Sequence, residues 1–388
     1  MSTVERNYGN NGSGPGPVFV VGMWRSGTSL FYALLNQHPE IALLYEGDIP
    51  LLWPLFLGPK AKSDWPERWE FWNSGVTRHK LDINRLARNV TTVREACESA
   101  WEQYSTGAIR GCKSPNYFDM LPSLAKQFPN ARFLVIWRNP MDICRSVVRA
   151  SKRDSFFAKS GMVLRALRGY HELKLGYDWL VANGIPVHAI QYENLVSNPV
   201  DVMSELCGFL NIEFDPRMAT LEAADRSAIY DAEHHEGVKS QRIGPRKPKS
   251  EVLPADVQAK IERYIAFWHK EYGGKWPAEP VVSSGSAPAW FAVERFFDGA
   301  LYRSLRIFDW AVVFIYCFAP LWLLGKYRSL RGRTGETSPA QKAAASETTL
   351  KQPLAPSSYE RMQPLENHPA MLDENDTMAH TSGTTVSR

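Results

Sequence analysis

A glycine-bounded loop near the start of the chain has the spacing of a phosphate-binding loop. Residues 22–29 read Gly-Met-Trp-Arg-Ser-Gly-Thr-Ser, after the apolar run Val18–Val21 and before a segment with helical periodicity. In such a loop, backbone N–H groups and the amino end of the following helix surround an anion. The candidate ligands in this phosphate loop are Arg25, Ser26, Gly27, Thr28 and Ser29. A glycine turn that only joins a strand to a helix is the structural alternative.

Thr28 decides which anion the phosphate loop suits. A nucleoside triphosphatase has a lysine at this position, which reaches the β- and γ-phosphates of its substrate. With threonine there, the loop is poorly suited to cleaving a triphosphate and well suited to binding a single 5′-phosphate. Arg25 supplies a cation from an earlier position in the loop.

Arg138 is a second cation expected at the end of a buried strand. It follows the apolar run Phe133–Trp137 and precedes Asn139-Pro140, a pair typical of a helix start. Ser146 lies eight residues after Arg138, on the second turn of that predicted helix. Such an arginine and serine can converge on one phosphate. The alternative is a salt bridge at the strand end and a serine on the helix surface.

Together these motifs resemble those of sulfotransferases that depend on 3′-phosphoadenosine-5′-phosphosulfate (PAPS). Residues 24–30 are similar to the family's 5′-phosphosulfate loop, with Trp24 in place of the usual proline. The family's 3′-phosphate motif is matched by Arg138, Asn139, Pro140, Asp142 and Ser146. The resemblance covers about residues 18–276. It implies PAPS as co-substrate, transfer of its sulfuryl group to an acceptor hydroxyl, and no metal ion.

Two later segments are similar to further parts of the sulfotransferase pattern. Tyr192 opens a Tyr-Glu-Asn-Leu stretch like the one that closes a central strand in the family, where we expect it to contact the nucleotide or to pack. Residues 239–249 form a basic loop similar to the one that folds over the 3′-phosphate, with Ser240 and Arg242 as candidate ligands. A solvated basic loop is the alternative for this segment.

Sulfuryl transfer needs a base for the acceptor hydroxyl. Glu46 follows the helix after the phosphate loop and is expected at the carboxyl edge of the sheet, where ligands of open α/β sheets bind. It also matches the position of the catalytic glutamate in tyrosylprotein sulfotransferases. His38 is the rival base, and Glu40 and Asp48 are weaker rivals.

Lys113 resembles the second basic group of the family, which protonates or shields the bridging oxygen of PAPS. It stands in a Lys-Ser-Pro stretch after a weak strand candidate, Ala108–Cys112. The resemblance implies that Arg25 and Lys113 hold the leaving group while Glu46 takes the proton of the acceptor. A surface lysine before a turn is the alternative.

Short apolar runs alternate with helical segments over residues 17–278, which predicts an α/β domain with a mostly parallel central sheet flanked by helices. The predicted strands are Val18–Val21, Ala108–Cys112, Arg132–Trp137 and Val187–Gln191. The predicted helices are Thr28–Asn36, Val93–Tyr104, Asp119–Gln127, Pro140–Ala150, Val163–Ala182, Pro199–Leu210 and Pro254–Glu271. Outside this sulfotransferase domain we expect a flexible N-terminus (1–16), a linker (279–289), a hydrophobic and basic segment (290–333) and a disordered tail (334–388).

The composition argues against several other kinds of protein. The 388 residues carry a formal net charge of +4, which is too weak to indicate a nucleic-acid partner. The five cysteines are odd in number and contain no Cys-x-x-Cys pair, which argues against a disulfide framework and fits a reducing compartment. The His and Cys residues lack the spacing of metal ligands, so no metal site is predicted.

A hydrophobic stretch follows the predicted domain. Residues 310–324 carry no charge, basic residues flank them on both sides, and Pro320 favours a bent or in-plane segment. The N-terminus has no apolar signal core. We therefore expect a cytoplasmic enzyme that associates through residues 290–333 with the cytosolic face of a membrane. A helix packed on the catalytic domain is the alternative.

The sequence does not name the acceptor, which we expect to be a small molecule, a glycan or a lipid. Four tryptophans that could form an acceptor lid or an irregular packed region are Trp53, Trp65, Trp69 and Trp72. Two other functions are alternatives. A P-loop kinase-like phosphotransferase is disfavoured by Thr28, and a non-enzymatic nucleotide-binding membrane scaffold is disfavoured by the full set of candidate site residues.

Overall fold

The computed structural model of the chain describes much of the region before residue 327. The described residues are 16–56, 64, 68, 79–82, 90–104, 107–152, 156–159, 161–229, 238, 243–244, 253–271 and 288–326. Contacts divide the chain into one unit of residues 1–326 and a second of residues 327–388, and the second lies outside the described residues. Also outside them are the predicted ligands Ser240 and Arg242, three of the four tryptophans (65, 69 and 72) and most of the predicted linker.

Five parallel strands form the central sheet of the described residues. They are β1 (Val18–Val21), β2 (Ile41–Tyr45), β3 (Ile109–Lys113), β4 (Arg132–Trp137) and β5 (Val187–Gln191). Their order across the sheet is β2-β3-β1-β4-β5, and every neighbouring pair is parallel. The predicted α/β class is confirmed.

Helices cover both faces of this sheet. In chain order they are α1 (Thr28–Leu35), α2 (Val93–Tyr104), α3 (Leu121–Gln127), α4 (Pro140–Ser151), α5 (Met162–Ala182), α6 (Tyr192–Ser197), α7 (Pro199–Leu210), α8 (Ala255–Glu271) and α9 (Phe291–Phe318). Short 3-10 segments lie at Ile49–Phe56, Pro115–Tyr117 and Pro216–Ala219. The sequence analysis had predicted seven of these helices with ends within about two residues.

The two faces of β1 belong to different apolar cores. Phe19 and Val21 pack with α2 to α5, α8 and α9, whereas Val18 and Val20 pack with α1, α6 and α7. This alternation follows from the strand geometry, in which successive side chains point to opposite faces. Because β1 is buried on both faces, it places the phosphate loop at the centre of a three-layer domain.

β2 is a described strand that the sequence analysis did not predict. Its five residues, Ile-Ala-Leu-Leu-Tyr, are all buried and pair with β3 from Ile41 beside Ile109 to Tyr45 beside Lys113. Periodicity alone does not distinguish so short an apolar run from a turn of buried helix. β2 matters for function because Glu46 follows it directly.

The hydrophobic stretch at 310–324 belongs in part to a long helix that packs on the domain. α9 ends before Pro320, and residues 321–326 turn helical again. The contacts group α9 with the preceding residues in the unit 1–326, whereas the sequence analysis placed a domain boundary at 278. Among the described helices, we find none whose length and apolar character would let it cross a membrane.

Candidate active site

The loops after β1 and β4 meet at the carboxyl edge of the sheet. The chain leaves β1 toward β2 on one side of the strand order and leaves β4 toward β5 on the other. Adjacent parallel strands whose connections diverge leave a crevice outside their carboxyl ends, which is where open α/β sheets bind ligands. The phosphate loop follows β1 and Arg138 follows β4, so both border this crevice.

The phosphate loop depends on a glycine at residue 27. Gly27 has a left-handed backbone with φ 100°, and a Cβ there would lie 2.4 Å from Cδ2 of the Tyr192 ring. The Ser26 N–H donates to the Met23 carbonyl at 3.0 Å, which closes a turn. α1 then begins at Thr28 without a side-chain cap, so its amino end presents N–H groups to the crevice.

Arg25, Arg138 and Ser146 form one hydrogen-bonded cluster. Arg25 Nε donates to Ser146 Oγ at 3.0 Å, and Arg138 Nη1 donates to the Arg25 carbonyl oxygen at 2.9 Å. The guanidinium of Arg138 also lies over the ring of Tyr192, 4.3 Å from its centroid, as a cation–π contact. The structure therefore joins the two anion motifs that the sequence predicted separately, and Tyr192 packs between them.

Two buried polar atoms of this region lack a hydrogen-bond partner among the described residues. They are Oγ of Ser26 and Nε of Arg138, and Ser26 is only 1% exposed. A buried donor without a partner is costly, so such atoms mark positions where a ligand completes the site. Both atoms can donate to an anion in the crevice.

Lys113 is a buried cation whose ammonium group faces Glu46. Lys113 Nζ donates to Glu46 Oε1 at 2.8 Å and to Ser29 Oγ at 3.4 Å. It also lies 4.0 Å from the ring centroid of Tyr45, whose hydroxyl is 2.7 Å from Ser29 Oγ. The Lys113 side chain is 1% exposed and the Glu46 side chain 15%. The carboxylate thus neutralises a buried charge and still reaches the surface of the crevice.

Left-handed backbone conformations cluster at these residues. Arg25, Glu46 and Asp48 have φ values of 68°, 51° and 53°, which are uncommon for residues that carry a Cβ. Such strain persists only where surrounding contacts fix the backbone, and it is concentrated at functional sites. The Glu46 N–H donates to the Lys113 carbonyl at 2.7 Å, which holds the two residues side by side.

Trp24, which stands where the family pattern has proline, links the phosphate loop to the turn after β3. Its Nε1–H donates to Asn116 Oδ1 at 3.0 Å. Asp48 accepts hydrogen bonds from Ser114 Oγ at 2.8 Å and from Asn116 Nδ2 at 3.4 Å. The phosphate loop, the turn after β2 and the turn after β3 are therefore linked by side chains.

The sequence profile of the sulfotransferase family matches residues 17–216, a range that contains the phosphate loop, Glu46, Lys113, Arg138 and Ser146. The chain belongs to the sulfotransferase family. The resemblance of its motifs is thereby confirmed, and the protein is a sulfotransferase enzyme.

Individual relatives are distant in sequence. Protein-tyrosine sulfotransferase 1 of Danio rerio is 26% identical over 200 residues, which cover 51% of this chain and 54% of that protein. Protein-tyrosine sulfotransferase A of Caenorhabditis elegans is 24% identical over 224 residues, 56% of this chain and 55% of that protein. A solved structure, the sulfotransferase domain from the curacin biosynthetic pathway, has a TM-score of 0.45 at 19% identity and covers 65% of this chain and 98% of that one.

Two of the three rival bases, His38 and Glu40, lie at the opposite edge of the sulfotransferase sheet, whereas Asp48 lies at the same edge as Glu46 and accepts hydrogen bonds from Ser114 and Asn116. His38 and Glu40 precede β2, whereas Glu46 follows it, and a five-residue strand separates its two ends by about 17 Å. The Glu40 N–H donates to His38 Nδ1 at 3.1 Å, so Nε2–H donates to the Glu213 carbonyl at 2.9 Å. Both nitrogens of the imidazole are used to hold the turn before β2.

Tyr45 is a site residue that the sequence analysis did not name. It belongs to no family motif that we used, and its place under Lys113 follows from the pairing of β2 with β3. The sequence signal that could have identified Tyr45 is the apolar run before Glu46, which ends in this tyrosine.

Burial raises the pKa of two thiols near the site, Cys112 and Cys144, to about 12. Cys112 precedes Lys113, and Cys144 lies on α4 two residues before Ser146. A thiol with so high a pKa stays protonated at neutral pH and is a poor nucleophile. Neither cysteine is therefore suited to carry a covalent intermediate.

Proposed function

We propose that this sulfotransferase moves the sulfuryl group of PAPS to an acceptor hydroxyl in the crevice outside β1 and β4. The observation that carries the proposal is the hydrogen-bonded cluster of Arg25, Arg138 and Ser146. It joins the phosphate loop to the second anion motif. Two adjacent anion sites suit a nucleotide with phosphate groups on two ribose positions, which AMP and ATP lack.

The described residues fit PAPS at both ends of the donor. The backbone of the phosphate loop, the amino end of α1 and Ser26 Oγ offer donors for the 5′-phosphosulfate. The unsatisfied Nε of Arg138 and the hydroxyl of Ser146 offer donors for the 3′-phosphate. Guanidinium groups suit phosphate because their N–H groups form a fixed fork.

In this proposal Glu46 accepts the proton of the acceptor hydroxyl while that oxygen bonds to the sulfur. The bond between the sulfur and the bridging oxygen breaks, and its electron pair stays on that oxygen in 3′,5′-adenosine bisphosphate. Lys113 and Arg25 bring positive charge to the place where this negative charge develops. The products are a sulfate ester, the bisphosphate and a protonated Glu46, which returns its proton to water.

The proposed acceptor is a hydroxyl group of a small molecule, a glycan or a lipid. The names of the curated relatives add the tyrosine side chain of a protein to this set. Trp53 lies in the 3-10 segment that follows Glu46, with its ring edge-on to Trp310 and Phe314 of α9. We propose that this segment borders the acceptor side of the crevice, where an aromatic side chain suits planar or amphiphilic groups.

Nucleotide selectivity tests the proposal. By isothermal titration, the wild-type protein should bind 3′,5′-adenosine bisphosphate about tenfold to a hundredfold more tightly than AMP, because a charge-assisted contact is worth roughly 1.5–3 kcal/mol. Ser146→Ala should reduce the difference in affinity between the two nucleotides. Ser151→Ala, further along the same helix, should leave that difference unchanged. Equal affinity for the two nucleotides, or a preference for ATP, would contradict the assignment and favour a phosphotransferase.

A further inference from the structure

The outward face of α9 is largely apolar along its length, with the exposed Ser304 among the apolar residues and its hydroxyl donating to the Ala300 carbonyl at 3.0 Å. Its exposed side chains recur every three or four residues, which places them on one face of the helix. Those used below are Phe296, Phe297, Leu301, Ile307, Phe308 and Ile315, which are 51–70% exposed. We call this face the apolar stripe. The helix has 28 residues and is about 42 Å long.

Most charged side chains of α9 point in the opposite direction, into the domain, whereas Arg303 is exposed and donates to the Gly299 carbonyl of its own helix at 3.2 Å. Four of them form ion pairs: Glu294 with Arg263, Asp298 with Lys260, Arg306 with Asp119, and Asp309 with Arg165. A helix on a water-exposed surface normally packs its apolar face inward and directs its charges outward. α9 has the reverse arrangement, and contiguous exposed apolar surface of this kind marks a contact with a partner or a membrane.

Two tryptophans and Lys326 border the apolar stripe, and more basic residues follow Lys326 in the sequence. Trp290 and Trp322 lie at its two ends and are 57% and 64% exposed. Tryptophan is enriched at the level of lipid headgroups, because its ring is apolar and its N–H is polar. Lys326 lies 5.2 Å from the Trp322 ring, and residues 310–335 contain four basic residues and no acidic one. Their charge is complementary to anionic headgroups.

We infer that α9 docks in the plane of an anionic membrane surface, with the apolar stripe among the lipid headgroups and the first acyl carbons. The ion pairs hold the opposite face of α9 on the domain near its amino end and near its middle. Near its carboxyl end, Arg68 Nη1 donates to the carbonyls of Tyr316 and Ala319 at 3.0 and 2.9 Å. One side of the helix is therefore available to lipid along its length, as in an interfacial helix.

The width of the apolar stripe favours a membrane over a second copy of the chain. At about 100° per residue, the exposed apolar positions span roughly 140° of the helix circumference. A partner helix in a coiled coil covers a narrower seam of two positions in seven, usually filled by Leu, Ile or Val. Phe296, Phe297 and Phe308 instead present broad aromatic groups, which suit a lipid surface without a fixed register.

Docking through α9 would bring the Glu46 side of the crevice close to the bilayer. The 3-10 segment Ile49–Phe56 follows Glu46, and its Trp53 contacts Trp310 of α9 at 6.4 Å between ring centroids. An acceptor hydroxyl on an amphiphile would approach from that side. The docking itself does not depend on the proposed reaction.

Flotation of the full-length protein with vesicles tests the inference. The wild type should float with vesicles of phosphatidylcholine and phosphatidylserine, more weakly with phosphatidylcholine alone, and should stay bound in high salt. The triple variant Phe297→Gln, Leu301→Gln, Phe308→Gln should lose about a hundredfold or more in partitioning, because three large apolar side chains no longer enter the lipid. Its melting temperature should match that of the wild type, since these side chains are exposed and the ion pairs are untouched.

A matched triple variant carries the same change on other helices. Leu175, Val181 and Val200 on α5 and α7 are 47–53% exposed, and changing all three to glutamine should leave flotation unchanged. Equal losses in the two triple variants, or a wild type that remains with the aqueous fraction, would overturn the inference. It would also be overturned by a wild-type dimer that ignores vesicles and becomes a monomer in the stripe variant, because the stripe would then join two copies.

Discussion

The charge of Lys113 is buried at the site, and Glu46 compensates for it at 2.8 Å. Removing one member of a buried ion pair leaves the other charge uncompensated, at a cost of about 3–5 kcal/mol. A change of Glu46 to alanine would therefore mix a folding defect with a catalytic one. Glutamine keeps an oxygen that accepts a hydrogen bond from Lys113, and it removes both the negative charge and the ability to accept a proton.

We expect Glu46→Gln to preserve nucleotide binding and to lower turnover by about two to four orders of magnitude, the range that a positioned base contributes. The measurement pairs steady-state turnover with titration of 3′,5′-adenosine bisphosphate. The amide can still accept a hydrogen bond from Lys113 but carries no charge, so the thermal stability should fall, by less than in Glu46→Ala.

Two variants at the other edge of the sheet are the controls for Glu46. Glu40→Gln is exposed and should be silent in both assays. His38→Asn should lower stability, because it breaks two hydrogen bonds that hold the turn, but it should not act on turnover at saturating donor. A large loss of turnover in His38→Asn combined with an active Glu46→Gln would mean that Glu46 is not the base.

Residue types and spacing predicted that Arg25 and Arg138 would lie after strands of the sheet, and the resemblance to the family suggested Lys113. Arg25 and Arg138 follow strands and Lys113 ends one, and the carboxyl ends of parallel strands share one edge. Tyr45 could not be predicted in this way, because its contact with Lys113 depends on the register of β2 with β3. The hydrogen bond from Arg25 to Ser146 spans 121 residues and likewise has no local signal.

At the scale of elements, ion pairs with residues far away in the sequence hold α9 on the domain. Arg306 pairs with Asp119, which precedes α3, and burial raises the pKa of this carboxyl although Arg306 opposes the shift. Arg306 also lies over the Phe118 ring, 5.4 Å from its centroid. The pair therefore ties α9 to the same aromatic cluster that supports Trp24.

Arg306→Gln should lower the free energy of unfolding by about 2–3 kcal/mol at neutral pH, because a largely buried Asp119 loses its cation. Chemical denaturation measures the loss. The loss should be smaller under acid conditions, where Asp119 is protonated in the folded variant. The exposed pair of Arg94 and Glu98 is the control, and Arg94→Gln should cost at most about 0.5 kcal/mol. Equal effects of the two variants would show that α9 is not anchored in this way.

His171 on α5 gives the fold a predicted dependence on pH. Burial, with the nearby cations Arg168, Arg295 and Lys174, lowers its pKa to about 4. In the unfolded chain the imidazole binds a proton near pH 6.5, so stability is full above about 6.5 and falls as the pH drops toward about 4. Over that window the wild type should lose about 2–3 kcal/mol more than His171→Gln. Parallel stability curves for the two proteins would contradict this expectation.

How well each strand or helix could be predicted depends on which of its side chains are buried. β1, β4 and β5 were predicted residue for residue, because continuous apolar runs before polar turns are typical of parallel strands. The weaker candidate at Ala108–Cys112 is shifted by one residue and ends at Lys113. The extent of α9 was not predicted, since many of its apolar residues face outward and most of its charges inward, which is the opposite of the pattern that marks a core-facing helix.

At the scale of the whole molecule, one parallel sheet assembles a site from residues 25 to 146, and one helix far along the chain, α9, packs on α5 and on the 3-10 segment after Glu46. The class of the fold and the place of the crevice follow from strand order, which local patterns indicate well. The inclusion of α9 in the same unit rests on contacts between residues more than a hundred positions apart, such as Arg165 with Asp309. Those pairings are set by tertiary geometry and have no local signal in the sequence.

Transfer of labelled sulfur from PAPS tests the central claim most directly. The full-length protein is incubated with PAPS labelled in the sulfuryl group and with hydroxyl-bearing lipids, glycans, small molecules and tyrosine peptides. We predict that label moves to at least one of these acceptors while an equal amount of 3′,5′-adenosine bisphosphate is released. A protein that binds the donor but transfers label to no hydroxyl acceptor, or that instead transfers the γ-phosphoryl group of ATP, would contradict the account.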